Sequence, residues 1–286
     1  ASTSSAAAST SVSPVTASPE ARTLTLRFDD TPVGEMVVVV AIPATREPLP
    51  LLIAMHGLGE SLKGPTAGAK GWLEDYHLDD AIARLAAPPI TSRDYQGLGD
   101  GRRRAELNAS LEKTPYRGLV IAMPYTPNIL LPDRSLDGAE ALGRFLVETL
   151  LPRLRAETPV IPRAEATGID GVSLGGRAAL LVGLAHPESF GAIGTLQAAI
   201  DPPEVTPLVG RIAEARTKNP ELRLRLLTSS GDFYRGTLAA LSRALKDQPH
   251  ELRIVEGPHD YIFNRGPGAY EMLLFHDRVL RGEPAP

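Results

Sequence analysis

The sequence predicts an α/β fold: a mostly parallel central sheet with helices on both faces and an antiparallel hairpin at its N-terminal end. Three observations lead there. Short continuous apolar runs recur along the chain, as expected of strands buried on both faces. Stretches with apolar residues at helical spacing lie between them. The two kinds alternate from residue 49 to the C-terminus. That order implies right-handed crossovers between parallel strands.

Each element has its own signal. Residues 24–28 (LTLRF) alternate apolar and polar, and residues 35–42 carry MVVVV. Asp29, Asp30, Thr31, Pro32 and Gly34 between them supply turn chemistry, so the pair reads as a hairpin. Residues 49–55 (LPLLIAM) and 119–123 (LVIAM) are buried-strand runs. Further strands are expected at 166–170, 192–196, 222–228 and 252–255. Residues 139–155 place Leu142, Leu146, Leu150 and Leu154 on one helix face. Other helices are expected at 174–185, 203–217, 235–246 and 269–280. No internal repeat is visible. One segment, at about 59–117, is longer than a crossover needs. Long connections off a sheet tend to be functional, so this insertion is expected to cap or wall a functional site.

Composition narrows the class. Of 286 residues, 43% are hydrophobic and 22% charged, as in a globular domain. A net charge of −4 argues against nucleic acid or an anionic membrane as partner. The one basic cluster, Arg102-Arg103-Arg104, reads as a solvated loop. Cysteine is absent, which removes disulfides, thiol nucleophiles and thiolate metal sites. No apolar run approaches the length of a transmembrane helix. Residues 1–20 are mostly Ala, Ser, Thr and Pro, a composition expected to stay disordered as a tether. The folded domain would then occupy 21–286. Such a tether commonly follows a removed export signal or lipid anchor. The expectation is therefore an exported protein, periplasmic, extracellular or lipid-anchored, with a cytoplasmic tail as the alternative.

The chemistry is carried by Gly171-Val172-Ser173-Leu174-Gly175, set between an expected strand and an expected helix. A serine hydroxyl needs a base to become a nucleophile and a sharp turn to present it. Among six histidines, His259 alone follows the last strand in a Gly-Pro loop, at the sheet edge that carries Ser173. His276 and His186 read as packing, capping or surface residues. His250 falls at the opposite sheet edge, and His77 lies in the insertion. His56 reads as a buttress of its loop. The acid that orients the imidazole is expected to be Asp232, just after strand 222–228, with Asp201 as rival. The chain order Ser173, Asp232, His259 is the order in which a turn of this kind takes its partners. An oxyanion hole needs two backbone N–H groups. Leu174 supplies one; the loop His56-Gly57-Leu58-Gly59-Glu60 supplies the other, through Leu58 or else Gly59. Substrate contacts are expected at Gly59, Trp72, Tyr125, Phe233 and Tyr261.

The strings MHGLGES, GVSLGG, SSGDFY and GPHDYIF, in this order, resemble the putative esterase family of the α/β-hydrolase superfamily. That family includes esterase D-like, feruloyl, acetylxylan and enterochelin esterases and mycolyltransferases. The helix FLVETLLPRL is similar to the helix that precedes the family's nucleophile strand. The resemblance spans roughly residues 35–280. It implies an α/β-hydrolase fold, a Ser173–Asp232–His259 triad with amides near Leu58 and Leu174, and a serine esterase that needs no metal or organic cofactor. The implied substrate is a small-molecule or acylated-carbohydrate ester. Where family members often carry Trp soon after the histidine, this chain has Tyr261 and Ile262-Phe263-Asn264. A peptidase or an acyltransferase would use the same triad. A non-catalytic binding protein is a third reading, against which the retention of Ser, Asp and His argues.

Overall fold

The computed structural model describes residues 20–99, 101–131 and 134–286. The tether expected at 1–20 lies, except for Glu20, outside the described residues.

Among the described residues eight strands form one sheet in the order β1-β2-β4-β3-β5-β6-β7-β8. Strands β1 (Arg22–Phe28) and β2 (Met36–Ile42) make the antiparallel hairpin, and β2 also pairs antiparallel with β4 (Val120–Pro124). The rest run parallel: β3 (Leu51–Met55), β5 (Thr167–Gly171), β6 (Ala192–Leu196), β7 (Arg223–Gly231) and β8 (Glu251–Pro258).

The unbroken apolar runs follow from burial on both faces. Side chains alternate along a strand. Thus Met36, Val38 and Val40 enter one core with Leu51, Ile53 and Met55, while Val37, Val39, Leu52 and Ala54 enter the other. The first core is covered by α6 (Glu140–Arg144), α7 (Leu151–Glu157), α8 (Leu174–Ala185), α9 (Val205–Lys218) and α10 (Arg235–Ala244). A π-helical stretch, Phe145–Leu150, joins α6 to α7. Pro152, which cannot donate an N–H to the helix, comes just after this stretch, so the widened turn lies where the proline interrupts the bonding.

The long segment after β3 builds most of the second layer. It holds α1 (Leu58–Ser61), α2 (Gly64–Gly68), α3 (Gly71–Glu74), α4 (Leu78–Ala86) and α5 (Arg102–Lys113). Trp72, Leu78, Leu85, Leu107 and Leu111 pack with α12 (Ala269–Val279) against the sheet. Between β8 and α12 lie α11 (Tyr261–Phe263) and a second π-helical turn, Asn264–Gly268.

The arginine run departs from the solvated loop expected of it. It opens α5, and Arg103 makes a bidentate pair with the fully buried Glu271 of α12, at 2.6 and 2.8 Å. A planar guanidinium fits a carboxylate in this way, and a carboxylate as buried as Glu271 requires such a partner. No helix of the described residues is long and apolar enough to cross a membrane.

Candidate active site

The carboxyl ends of β3, β5, β7 and β8 supply the site. Strand β5 ends at Gly171, and the chain turns within two residues into α8. The turn is sharp enough to force Ser173 to φ 54° and ψ −110°, a conformation that side chains rarely adopt. It is held by Ser173 N–H donating to the Leu196 carbonyl (2.8 Å) and Arg177 N–H donating to the Ser173 carbonyl (3.0 Å). The flanking glycines are steric requirements. A Cβ on Gly171 would lie 2.5 Å from Gly175 backbone, and one on Gly175 would lie 2.4 Å from the Met55 carbonyl oxygen.

Asp232 follows β7, is 5% exposed, and has both oxygens engaged. Oδ2 accepts from the Thr228 hydroxyl (2.5 Å) and Oδ1 from Tyr234 N–H (3.0 Å). Oδ1 also lies 2.7 Å from Nδ1 of His259, just beyond β8. The rival Asp201 is committed elsewhere. It pairs with Arg134 at 2.7 Å and caps the turn that begins at Pro202. The His259 ring is sandwiched on one side by Phe233, stacked at 4.2 Å between centroids. Gln197, another left-handed residue (φ 52°), donates from its side chain to Ser229 Oγ and to the Pro258 carbonyl, both at 2.7 Å. It thereby ties the acid-bearing strand to the histidine loop.

Ser173 and His259 line one cavity of about 290 Å³, together with Leu58, Gly59 and Tyr261. No hydrogen bond joins Ser173 to His259 among the described residues. Leu58 opens α1 and Leu174 opens α8, so neither N–H has an intrahelical acceptor.

Glu60, Tyr76 and Asn264 are among the further residues that line the cavity. Glu60 is 1% exposed. Its Oε2 accepts a short hydrogen bond from Tyr76 Oη, and its Oε1 accepts from Tyr261 Oη at 2.8 Å. Tyr76 Oη in turn accepts from Gly57 N–H (3.2 Å). Burial, reinforced by the Glu60 charge, raises the Tyr76 phenol well above its ordinary range and Tyr261 to about 12. Both therefore stay protonated donors at neutral pH. Beneath them His56 is held neutral: burial lowers it to about 4. Its Nε2 accepts from Thr126 N–H at 2.8 Å, as a buttress of the loop would.

Two residues expected at the substrate lie elsewhere. Trp72 is wholly buried in the second layer, its ring edge-on to Tyr76 at 4.9 Å, because its large apolar ring is drawn under the sheet. Tyr125 donates to the Ser61 carbonyl (2.9 Å) and packs beside His56. Neither lines the cavity. Phe233 reaches the site through His259. Glu60 and Asn264 escaped the sequence reading. Glu60 had a signal, a carboxylate directly after a glycine-rich apolar turn; Asn264 had none.

A model of the putative esterase family matches residues 124–254. No curated protein matches the chain. Solved structures do. A ferulic acid esterase is 17% identical with a TM-score of 0.67, covering 92% of this chain and 99% of that one. S-formylglutathione hydrolase (FrmB) from Staphylococcus aureus is 12% identical with a TM-score of 0.64, covering 91% and 100%. The enterobactin esterase FES from Shigella flexneri is 17% identical with a TM-score of 0.54, covering 89% and 61%. At these identities the likeness is one of fold. The chain thus has the fold of these esterases, and its residues 124–254 match the putative esterase family.

Proposed function

We propose that the chain hydrolyses carboxylic esters by two-step acyl transfer through Ser173. The observation that carries this reading is the 2.7 Å hydrogen bond between Asp232 and His259 Nδ1, beside the cavity that Ser173 also lines. With Nδ1 bound to the acid, Nε2 is the nitrogen left to accept a proton. His259 takes the Ser173 proton as Oγ attacks the ester carbonyl. The N–H groups of Leu58 and Leu174 hold the oxyanion. The C–O bond then breaks and the alcohol leaves with the proton from His259. Water repeats the sequence and frees the acid. Asp232, fixed by Thr228 and Tyr234, stabilises the imidazolium. The segment at 59–117 walls the site through Gly59, Glu60 and Tyr76, and the substrate is a small-molecule or acylated-carbohydrate ester.

A fluorophosphonate probe should label the protein, and Ser173→Ala should abolish labelling. Asp232→Asn should lower kcat on a simple ester by at least ~10³-fold, while Asp201→Asn stays within a few-fold. A folded protein that takes no label, or an Asp201 effect larger than that of Asp232, defeats the reading. Turnover of peptide amides without esters would convert it to a peptidase.

A further inference from the structure

Glu60 is a buried carboxylate beside the nucleophile that the proposed chemistry does not use. It lies just past Leu58 in α1, and its two oxygens each receive a tyrosine hydroxyl, one from Tyr76 and one from Tyr261. Gly71 makes room for its stem, since a Cβ there would fall 2.4 Å from Glu60 Cγ. The Tyr76 phenol reaches further. Its ring is buried edge-on to Trp72, and its oxygen accepts the Gly57 N–H at 3.2 Å. Gly57 immediately precedes Leu58. A glycine turns easily about φ and ψ, and a turn there would swing the Leu58 N–H. Here Gly57 is pinned on both sides. Its N–H is held by Tyr76, and its carbonyl receives His56 Nδ1 at 3.0 Å and the Ser61 N–H and hydroxyl at 3.4 Å. The peptide is planar and trans, so a carbonyl held on one side turns the Leu58 N–H to the other. That N–H opens α1 without an intrahelical acceptor, and Leu58 lines the cavity. The pins sit close: a Cβ on Gly57 would lie 3.1 Å from Tyr76 Oη and 3.4 Å from Glu60 Oε2.

We infer that Tyr76 and Glu60 are positioning residues for the reaction: Glu60 holds the Tyr76 hydroxyl, the hydroxyl holds Gly57, and Gly57 so held aims the Leu58 N–H at the oxyanion. Their effect falls on the transition state. A ground-state ester carbonyl gains little from the donor, whereas the developing oxyanion gains most from one fixed in advance. The role needs a hydroxyl at Tyr76 and an acceptor at Glu60, not a charge. Tyr261, which follows His259 closely in the chain, steadies the carboxylate from its other oxygen. The inference rests on the proposed ester hydrolysis at Ser173, with Leu58 as an oxyanion donor.

Ethyl butyrate hydrolysis in a pH-stat tests it, with active sites counted by fluorophosphonate titration so that unfolded protein does not enter kcat. Tyr76→Phe keeps the ring and removes the hydroxyl. It should lower kcat per titrated site by roughly tenfold or more, towards the loss of a whole oxyanion donor, with KM within about twofold. Butyl trifluoromethyl ketone adds to the serine as an oxyanion, so its Ki should rise by a similar factor. Glu60→Gln still offers Tyr76 an acceptor and should keep kcat within about threefold. If Tyr76→Phe does not fold, Tyr76→Phe/Glu60→Leu, which strands no charge, carries the same expectation. A merely structural role would lower the thermal midpoint and the number of titrated sites while leaving kcat per site and the ketone Ki unmoved, and that result overturns the inference. So does a fall in kcat with the ketone bound as tightly as before. A loss in Glu60→Gln as deep as in Tyr76→Phe overturns it too, because the charge and not the held hydroxyl would then be what acts. An unmodified protein that takes no label has failed the serine reading itself, and not merely the positioning.

Discussion

A histidine that accepts from one amide and donates to a carbonyl has no lone pair left for a proton. His56 is in that state, with Thr126 N–H on Nε2 and the Gly57 carbonyl 3.0 Å from Nδ1. Burial lowers its pKa to about 4, and burial likewise lowers that of His276, which donates to Asp170 at 3.0 Å. The unfolded chain takes up these protons near pH 6.5. Native His56 takes its proton only near pH 4. Between those values the unfolded state holds more protons, so stability falls as pH drops through that window. For His56 the loss is on the order of 3 kcal/mol. The urea midpoint should therefore decrease from pH 7 to pH 4.5, and His56→Gln should flatten part of that decrease. An equal decrease in both proteins would contradict the assignment of neutral His56.

Glycines in two helices show how far an element's surroundings decide its sequence. Gly175, in the first turn of α8, faces the Met55 and His56 carbonyl oxygens, and a Cβ there would come within 2.4 and 2.5 Å of them. These are backbone atoms of the neighbouring strand and its loop, so they cannot rotate away. Gly175→Ala should cost roughly 3 kcal/mol or more and remove labelling of Ser173. Gly210, inside α9, has nothing within 4 Å of its would-be Cβ. There Gly210→Ala should raise stability by about 1 kcal/mol, because alanine forms helix more readily. Chemical denaturation of the two variants checks both signs at once. If both alanines proved tolerable, the tight seating of α8 against β3 would be wrong.

Across the molecule, buried charges stitch the two ends of the second layer to the sheet. Arg103 of α5 grips Glu271 of α12, and Arg225 of β7 donates to the Glu271 carbonyl at 2.8 Å. Arg225 also lies 3.7 Å from Asp170, which meets His276. Gly194 makes room for that last pair; its Cβ would fall 1.9 Å from Asp170 Oδ2. Arg103→Met should destabilise by about 3 kcal/mol, since Glu271 is left short of its bidentate partner. Adding Glu271→Leu should recover most of that loss, and urea unfolding of the single and double variants measures it. No recovery in the double variant would mean that packing, not stranded charge, set the cost. These links explain what the sequence could and could not reveal. The strands and the motif around Ser173 were legible because their signals are local: apolar runs, glycines in a turn, residues at strand ends. Glu60 with Tyr261 and Asp170 with His276 are 201 and 106 residues apart. Nothing in either neighbourhood announces such a partner. The Arg102–104 run misled for the same reason, because the acid that buries Arg103 is 168 residues away.

Strands β3 and β5 are direct neighbours, with Met55 opposite Gly171. The loop that carries Leu58 leaves one of them, and the turn that carries Ser173 and Leu174 leaves the other. The gap between the two proposed oxyanion amides is therefore gauged first by the spacing of paired strands, ~4.8 Å. Apart from Tyr76, which holds the Gly57 N–H, residues 59–117 and the loop after β8 can diverge around this gauge without resetting it. New ester preferences are thus reachable by mutation of walls alone, with the chemistry inherited intact.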